Sequence, residues 1–167
     1  MAEEIVLSSS NARVYAEAQL KELGIELPKA PDKSVAPTMP INITRIELDE
    51  LGRLLGIYTA WTAFIEPQVA LADVDYTCAL QTLEYQQNLL ILKPICQMHE
   101  QASERKAIRD VQPEILKLKK IMLKQEARFK VLASMLKVYL GNMSTLSREI
   151  SRRSLVENIG KGSRFST

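Results

Sequence analysis

The sequence predicts an all-α protein: a long antiparallel helical hairpin, coiled-coil-like, that assembles into a helical oligomer and carries a tethered N-terminal helix. Three observations carry this expectation. One ladder runs Leu51, Leu55, Tyr58, Thr62, Ile65, Val69, Ala72, Tyr76, Ala79, Leu83, Gln86, Leu90, and a second runs Ile115, Leu118, Met122, Gln125, Phe129, Leu132, Leu136, Tyr139, Met143, Leu146, Ile150. Steps of three and four alternate through both. A helix buries such a spacing along one seam, whereas a strand, with its period of two, has no use for it. The third observation concerns width. Ile57, Phe64, Leu71, Val74, Cys78 and Tyr85 lie off the first ladder, and Leu116, Leu123, Val131 and Val138 lie off the second. A helix apolar nearly all round needs burial on more than one side. Two helices alone do not provide it, so hairpins are expected to pack side by side. Ile57, Trp61, Phe64, Leu71, Val74 and Tyr85 are the expected oligomer interface.

The elements follow in order. Residues 8–23 read as a short helix, with Ser8 to Ser10 as N-cap candidates, an apolar stripe of Val14, Leu20 and Leu23, and Gly24 to end it. Pro28, Pro31, Pro37 and Pro40 make residues 25–43 an extended linker, because proline disfavours helix at itself and at the residue before it. Residues 1–43 are thus expected to stand apart from the core. The hairpin domain, residues 44–158, opens on a capping box of Thr44 and Glu47, with Ile43 and Leu48 as a hydrophobic staple. Its first helix should reach about Leu92. Pro67 deletes one backbone hydrogen bond inside it, but the ladder keeps its phase there, which predicts a bend and not a break. Pro94 should end it, and residues 95–109 read as a short helix and turn.

Pro113 and Glu114 suit the first turn of the last helix. That helix should run to roughly Glu157, a length of about 60 Å at the α-helical rise. Gly141 is a weak point within it. Gly160, Gly162 and the serines beyond predict a flexible tail over residues 159–167.

Net charge is only +2, but its sign is segregated. Residues 1–100 hold 7 Lys/Arg and 14 Asp/Glu, a net of −7, while residues 101–167 hold 15 and 6, a net of +9. Such asymmetry suits a polyanionic partner, or charge complementarity between the two arms or between subunits. The positions separate the two readings. On the last helix the outward-facing residues include Lys117, Lys120, Lys124, Lys130, Lys137, Arg148 and Arg152, while Glu114, Glu126 and Glu149 fall at the flanks of the seam. An ordinary solvated face mixes signs, because like charges on adjacent turns repel. A uniformly cationic face is the expected nucleic-acid surface, directed at the phosphate backbone and sensitive to salt. Aromatic residues are scarce in it, and Phe129 and Tyr139 belong to the seam.

Catalysis is not expected. The chain has no Gly-rich phosphate loop. His99 is its only histidine, which excludes a histidine metal cluster, and Cys78 and Cys96 lack metal spacing. Asp73 and Asp75, two apart on a helix, do not face each other. No nucleophile has a base at a readable spacing. No cofactor is expected. No apolar run reaches the ~18 residues of a membrane span, and the start Met-Ala-Glu-Glu lacks the features of a signal peptide. A cytosolic protein with buried, reduced thiols is the expectation.

Tyr58-Thr59-Ala60-Trp61 in the first long helix, Glu114-Ile115-Leu116-Lys117 opening the second, and Ser147-Arg148-Glu149-Ile150-Ser151-Arg152-Arg153 near its end resemble the UvsY-type recombination mediators of tailed phages. The likeness spans about residues 44–158. It implies a ring-like helical oligomer that binds single-stranded DNA and helps load a RecA-like recombinase onto DNA covered by single-strand-binding protein. It also implies the cytoplasm of a phage host as the setting. Two other readings use the same helices: a structural or scaffold protein, such as a virion component, that does not bind nucleic acid, and an adaptor whose N-terminal helix docks on a partner.

Overall fold

The computed structural model describes residues 9–32, 37–93, 98 and 101–162, with side chains between residues 12 and 156 of those ranges. Four α-helices and one 3-10 turn account for the regular structure among these residues, and there is no strand. They are α1 (Ser9–Glu22), the 3-10 turn Ile43–Arg45, α2 (Leu48–Ile91), α3 (Ala102–Asp110) and α4 (Pro113–Gly162). Both ladders face protein. Every position of each is buried or half-buried, with none exposed.

α1 ends as its sequence dictates. Gly24 adopts φ +71°, its N–H donates to the carbonyl of Lys21 at 3.1 Å, and the N–H of Ile25 donates to the carbonyl of Leu20 at 2.9 Å. This is a Schellman motif, which satisfies the helix's last carbonyls and needs a residue without Cβ at the left-handed position. The start of α2 differs from expectation. Thr44 lies in the 3-10 turn, where its hydroxyl donates to Asn42 Oδ1 at 3.2 Å, and Ile46 is extended. The helix begins at Leu48, with the N–H of Leu51 donating to the carbonyl of Glu47 at 3.0 Å. The Thr44–Glu47 capping box does not form. Instead Ile43 and Ile46 are drawn onto the cluster of Leu51, Leu54, Tyr58 and Leu146. α2 then runs unbroken through Pro67.

α3 falls inside the stretch expected to hold a short helix, and α4 begins at Pro113 as expected. α4 continues through Gly160 to Gly162, about a turn past the predicted end. Residues 163–167 of the predicted tail lie outside the described residues, as do Ser8, Pro94, Cys96 and His99. Cys78 is a free thiol, half-buried.

Contacts divide the chain into two units. One unit joins residues 1–26 to 68–132, and the other joins residues 27–67 to 133–167.

In the first unit α2 and α4 pack antiparallel. Tyr76 stacks on Phe129 with centroids 6.2 Å apart, while Leu83 and Leu90 pack with Ile115, flanked by Leu118 and Met122. Asp110 ties α3 to both long helices: Gln87 Nε2 donates to its Oδ1 at 3.3 Å, and Lys119 Nζ lies 3.4 Å from its Oδ2. Burial pushes the Asp110 carboxyl up, but the hydrogen bond from Arg109 and the charges of Arg109 and Lys119 outweigh it and hold the group below its usual range.

α1 belongs to this unit. Arg13 Nη1 lies 3.7 Å from Asp75 Oδ2, and Arg128 Nη1 lies 3.3 Å from the same oxygen. Asp75 is 5% exposed. A carboxylate buried to that degree needs cationic partners, and here α1 and α4 each supply one. Leu71, one turn before Asp75 on the same face, is likewise 5% exposed. The second side that α2 needs is thus met partly within the chain. A variant beginning at Ile25 should lose about 2 kcal/mol of stability, the order of one buried aliphatic side chain re-exposed. Urea unfolding followed by circular dichroism measures this, and an unchanged midpoint would show that α1 does not dock.

The second unit pairs the N-terminal part of α2 with the C-terminal part of α4, again antiparallel. Tyr58 is fully buried, edge-on to Tyr139 with centroids 5.5 Å apart, and its hydroxyl accepts from Asn142 Nδ2 at 3.1 Å. Thr62 Oγ1 donates to Met143 Sδ at 3.2 Å. Met39, Ile43 and Ile46 pack on the cluster around Leu54, so the end of the linker provides the second side here. Gly141 is exposed, and a Cβ built on it would meet no atom within 4 Å. Gly141→Ala should therefore stabilise the fold by about 1 kcal/mol, the difference in helix propensity. A rise in the urea midpoint reports it, and a fall would reveal a close neighbour at that position.

Candidate nucleic-acid interface

α4 sets its own outer face. With Ile115, Leu118 and Met122 turned to α2, the 3.6-residue period must turn Lys117, Lys120 and Lys124 away from it. All three are exposed, and Lys130 joins them in the first unit. In the second unit Lys137, Arg148 and Arg152 are exposed on the same helix. Lys119, one position from Lys120, turns inward to Asp110.

The seven predicted cations are not equivalent. Lys130 Nζ lies 2.6 Å from Glu126 Oε1. Arg152 grips Glu149 with both Nε (2.9 Å) and Nη2 (2.7 Å). Lys117, Lys120, Lys124, Lys137 and Arg148 have no ion pair among the described residues. Both engaged pairs were legible as glutamates three or four residues before a cation on one helix, a spacing that brings side chains together. Glu126 and Glu149 sit at the flanks of the seam and reach outward.

Glu149 has a further role. Arg153 Nε donates to its Oε1 at 2.8 Å, while Arg153 Nη1 and Nη2 donate to the carbonyls of Ile46 and Ile43, the latter at 3.0 Å. The network thus clamps the 3-10 turn to α4, and the side chain of Glu149 is only 8% exposed. Hydrogen bonds from Arg152 and Arg153 lower its carboxyl from an ordinary 4.5 to about 2. The folded value lies below the unfolded one, so the stabilisation is fully present above the unfolded value and is lost as pH falls from 4.5 towards 2. Glu149→Gln should therefore be less stable than the parent at neutral pH, with the gap closing across that acid window. Unfolding midpoints against pH measure it, and a gap independent of pH would contradict the network.

Around Arg148 and Arg152, α4 also presents Ser144, Ser147, Ser151 and Leu155, which line a shallow groove of about 440 Å³. Serine hydroxyls and guanidinium groups are both donors to phosphate oxygens. Sequence reasoning picked out the arginines and missed the serines, although their spacing of three and four marks one helix face.

The expected oligomer interface fares unevenly. Tyr85 is 61% exposed, and Ile57, Trp61, Phe64 and Val74 are half-buried. Trp61 packs edge-on to Phe64 with centroids 6.3 Å apart, and its indole N–H is buried with no acceptor among the described residues. Leu71 is buried within its own chain, at 5% exposure.

No helix among the described residues is long and apolar enough to cross a membrane. No protein-family model matches the chain, and no curated protein or solved structure matches it.

Proposed function

We propose that this chain binds single-stranded DNA through the outer face of α4, as a homo-oligomer, and acts as a recombination mediator that helps load a RecA-like recombinase. The carrying observation is the run of exposed cations Lys117, Lys120 and Lys124 without an ion pair among the described residues. Such lysines are available to phosphates at no cost in broken contacts, and they release counterions when bound. Recombinase loading, and displacement of single-strand-binding protein as its context, come from the resemblance to UvsY-type mediators. Self-association rests on the aliphatic and aromatic side chains left exposed or half-buried, Ile57, Phe64 and Tyr85 among them. Coiled-coil packing of the ladders belongs to the same proposal. The second reading, a scaffold without nucleic-acid binding, draws on those apolar surfaces alone.

The test has two parts. Anisotropy of a labelled single strand should show tight binding at low salt that falls steeply as salt rises, with a log–log slope of roughly 0.7 per phosphate neutralised. Filament assembly by a RecA-like recombinase on strands coated with single-strand-binding protein should then be faster with the protein present. No binding at low salt overturns the mediator reading in favour of the scaffold. Binding without stimulation leaves a nucleic-acid-binding assembly of another use.

A further inference from the structure

The outer face of α4 in the first unit is not simply basic. Three successive heptads each place one lysine and one aliphatic residue on either side of the outermost position: Leu116 with Lys117, Leu123 with Lys124, and Lys130 with Val131. The aliphatic members stay 53%, 57% and 60% exposed. A solvated helix face has no reason to carry an aliphatic residue in each heptad, here at spacings of seven and eight, since each leaves apolar area in water. The repeat needs a ligand that is anionic and apolar at once, along about 10.5 Å of helix per heptad.

We infer that Leu116, Leu123 and Val131 contact the bases and sugars of a single strand whose phosphates are held by Lys117, Lys120 and Lys124, Lys130 being paired with Glu126, and that they make this face select single strands over duplex. The inference rests on the nucleic-acid reading and specifies its ligand. An unpaired strand presents base faces beside its phosphates, so one ligand satisfies both members of each pair. A duplex keeps its bases stacked inside and presents mainly phosphate, which leaves the aliphatic side chains idle. A second copy of the same face is disfavoured, because it would set lysine against lysine in every heptad. A membrane-bound helix segregates its apolar stripe from its cations, whereas here the two share each repeat.

The experiment compares full-length wild type with the triple variant Leu116→Ala, Leu123→Ala, Val131→Ala on a mixed-sequence oligonucleotide, single-stranded and annealed to its complement, across a salt series. Circular dichroism and light scattering accompany each protein. The variant should lose about tenfold in single-strand affinity, the order expected for apolar contacts of this size. That loss should be equal at low and high salt, with the slope, the duplex affinity, the helicity and the mass unchanged. Wild-type affinity in the variant overturns the inference and leaves the nucleic-acid reading standing. A reduced oligomer mass overturns it by assigning the row to a contact between copies. Absence of any wild-type binding overturns the underlying reading, and sedimentation of the wild type with anionic phosphatidylserine vesicles in its place would assign the face to a membrane.

Discussion

Tyr58→Ala should destabilise the fold by about 4 kcal/mol, the cost of truncating a fully buried aromatic side chain in a packed core. Tyr58 has no exposed surface and sits among Leu51, Leu54 and Leu146. Its ring meets Tyr139 edge-on, and its hydroxyl is the acceptor for Asn142 Nδ2. Removing the ring opens a cavity between α2 and α4 that the remaining side chains fill only in part. Domains of this size are typically stable by about 5–15 kcal/mol, so the loss is a large fraction of the whole. Tyr58→Phe keeps the ring and loses one hydrogen bond, at a cost of about 1 kcal/mol. Urea unfolding followed by circular dichroism separates the two variants. Equal midpoints would show that the ring is not in the core and would move the α2–α4 contact elsewhere.

Tyr58 also shows why so much of the fold could be read in advance. The residue belongs to a ladder whose three-four spacing survives from Leu51 to Leu90, and a seam that long fixes both the helix and the face it buries. Pro113 and Gly24 set boundaries for reasons intrinsic to one residue, the fixed φ of proline and the free φ of glycine, and both act where the sequence places them. Thr44 marks the limit of such local signals. Its capping box is a sound local motif, but Ile43 and Ile46 contribute more by entering the cluster around Leu54, and helix α2 starts four residues later.

Asp75 marks another limit. In the sequence it is one of six acids on a long helix. Only the meeting of three segments turns it into a buried anchor for Arg13 and Arg128, and no pattern within one helix carries that information. Leu71, buried in this chain, shows the same limit: an apolar residue off the seam is equally suited to a neighbouring subunit or to a helix of its own chain. The cationic residues were legible because exposure follows directly from facing away from the ladder. Which of them are neutralised by Glu126 and Glu149 needed only the helical spacing of opposite charges.

The most direct test of the nucleic-acid reading is the triple reversal Lys117→Glu, Lys120→Glu, Lys124→Glu. These side chains are exposed and without ion pairs among the described residues, so the change leaves the core untouched. It removes three phosphate partners and installs three repelling charges in their place. Single-strand affinity at low salt should fall by about 100-fold or more, and the salt slope of any residual binding should shrink by about 2. Fluorescence anisotropy measures both, with circular dichroism and light scattering confirming unchanged helicity and mass. A folded variant that binds a labelled single strand as tightly as the parent, with the same salt slope, would contradict the account.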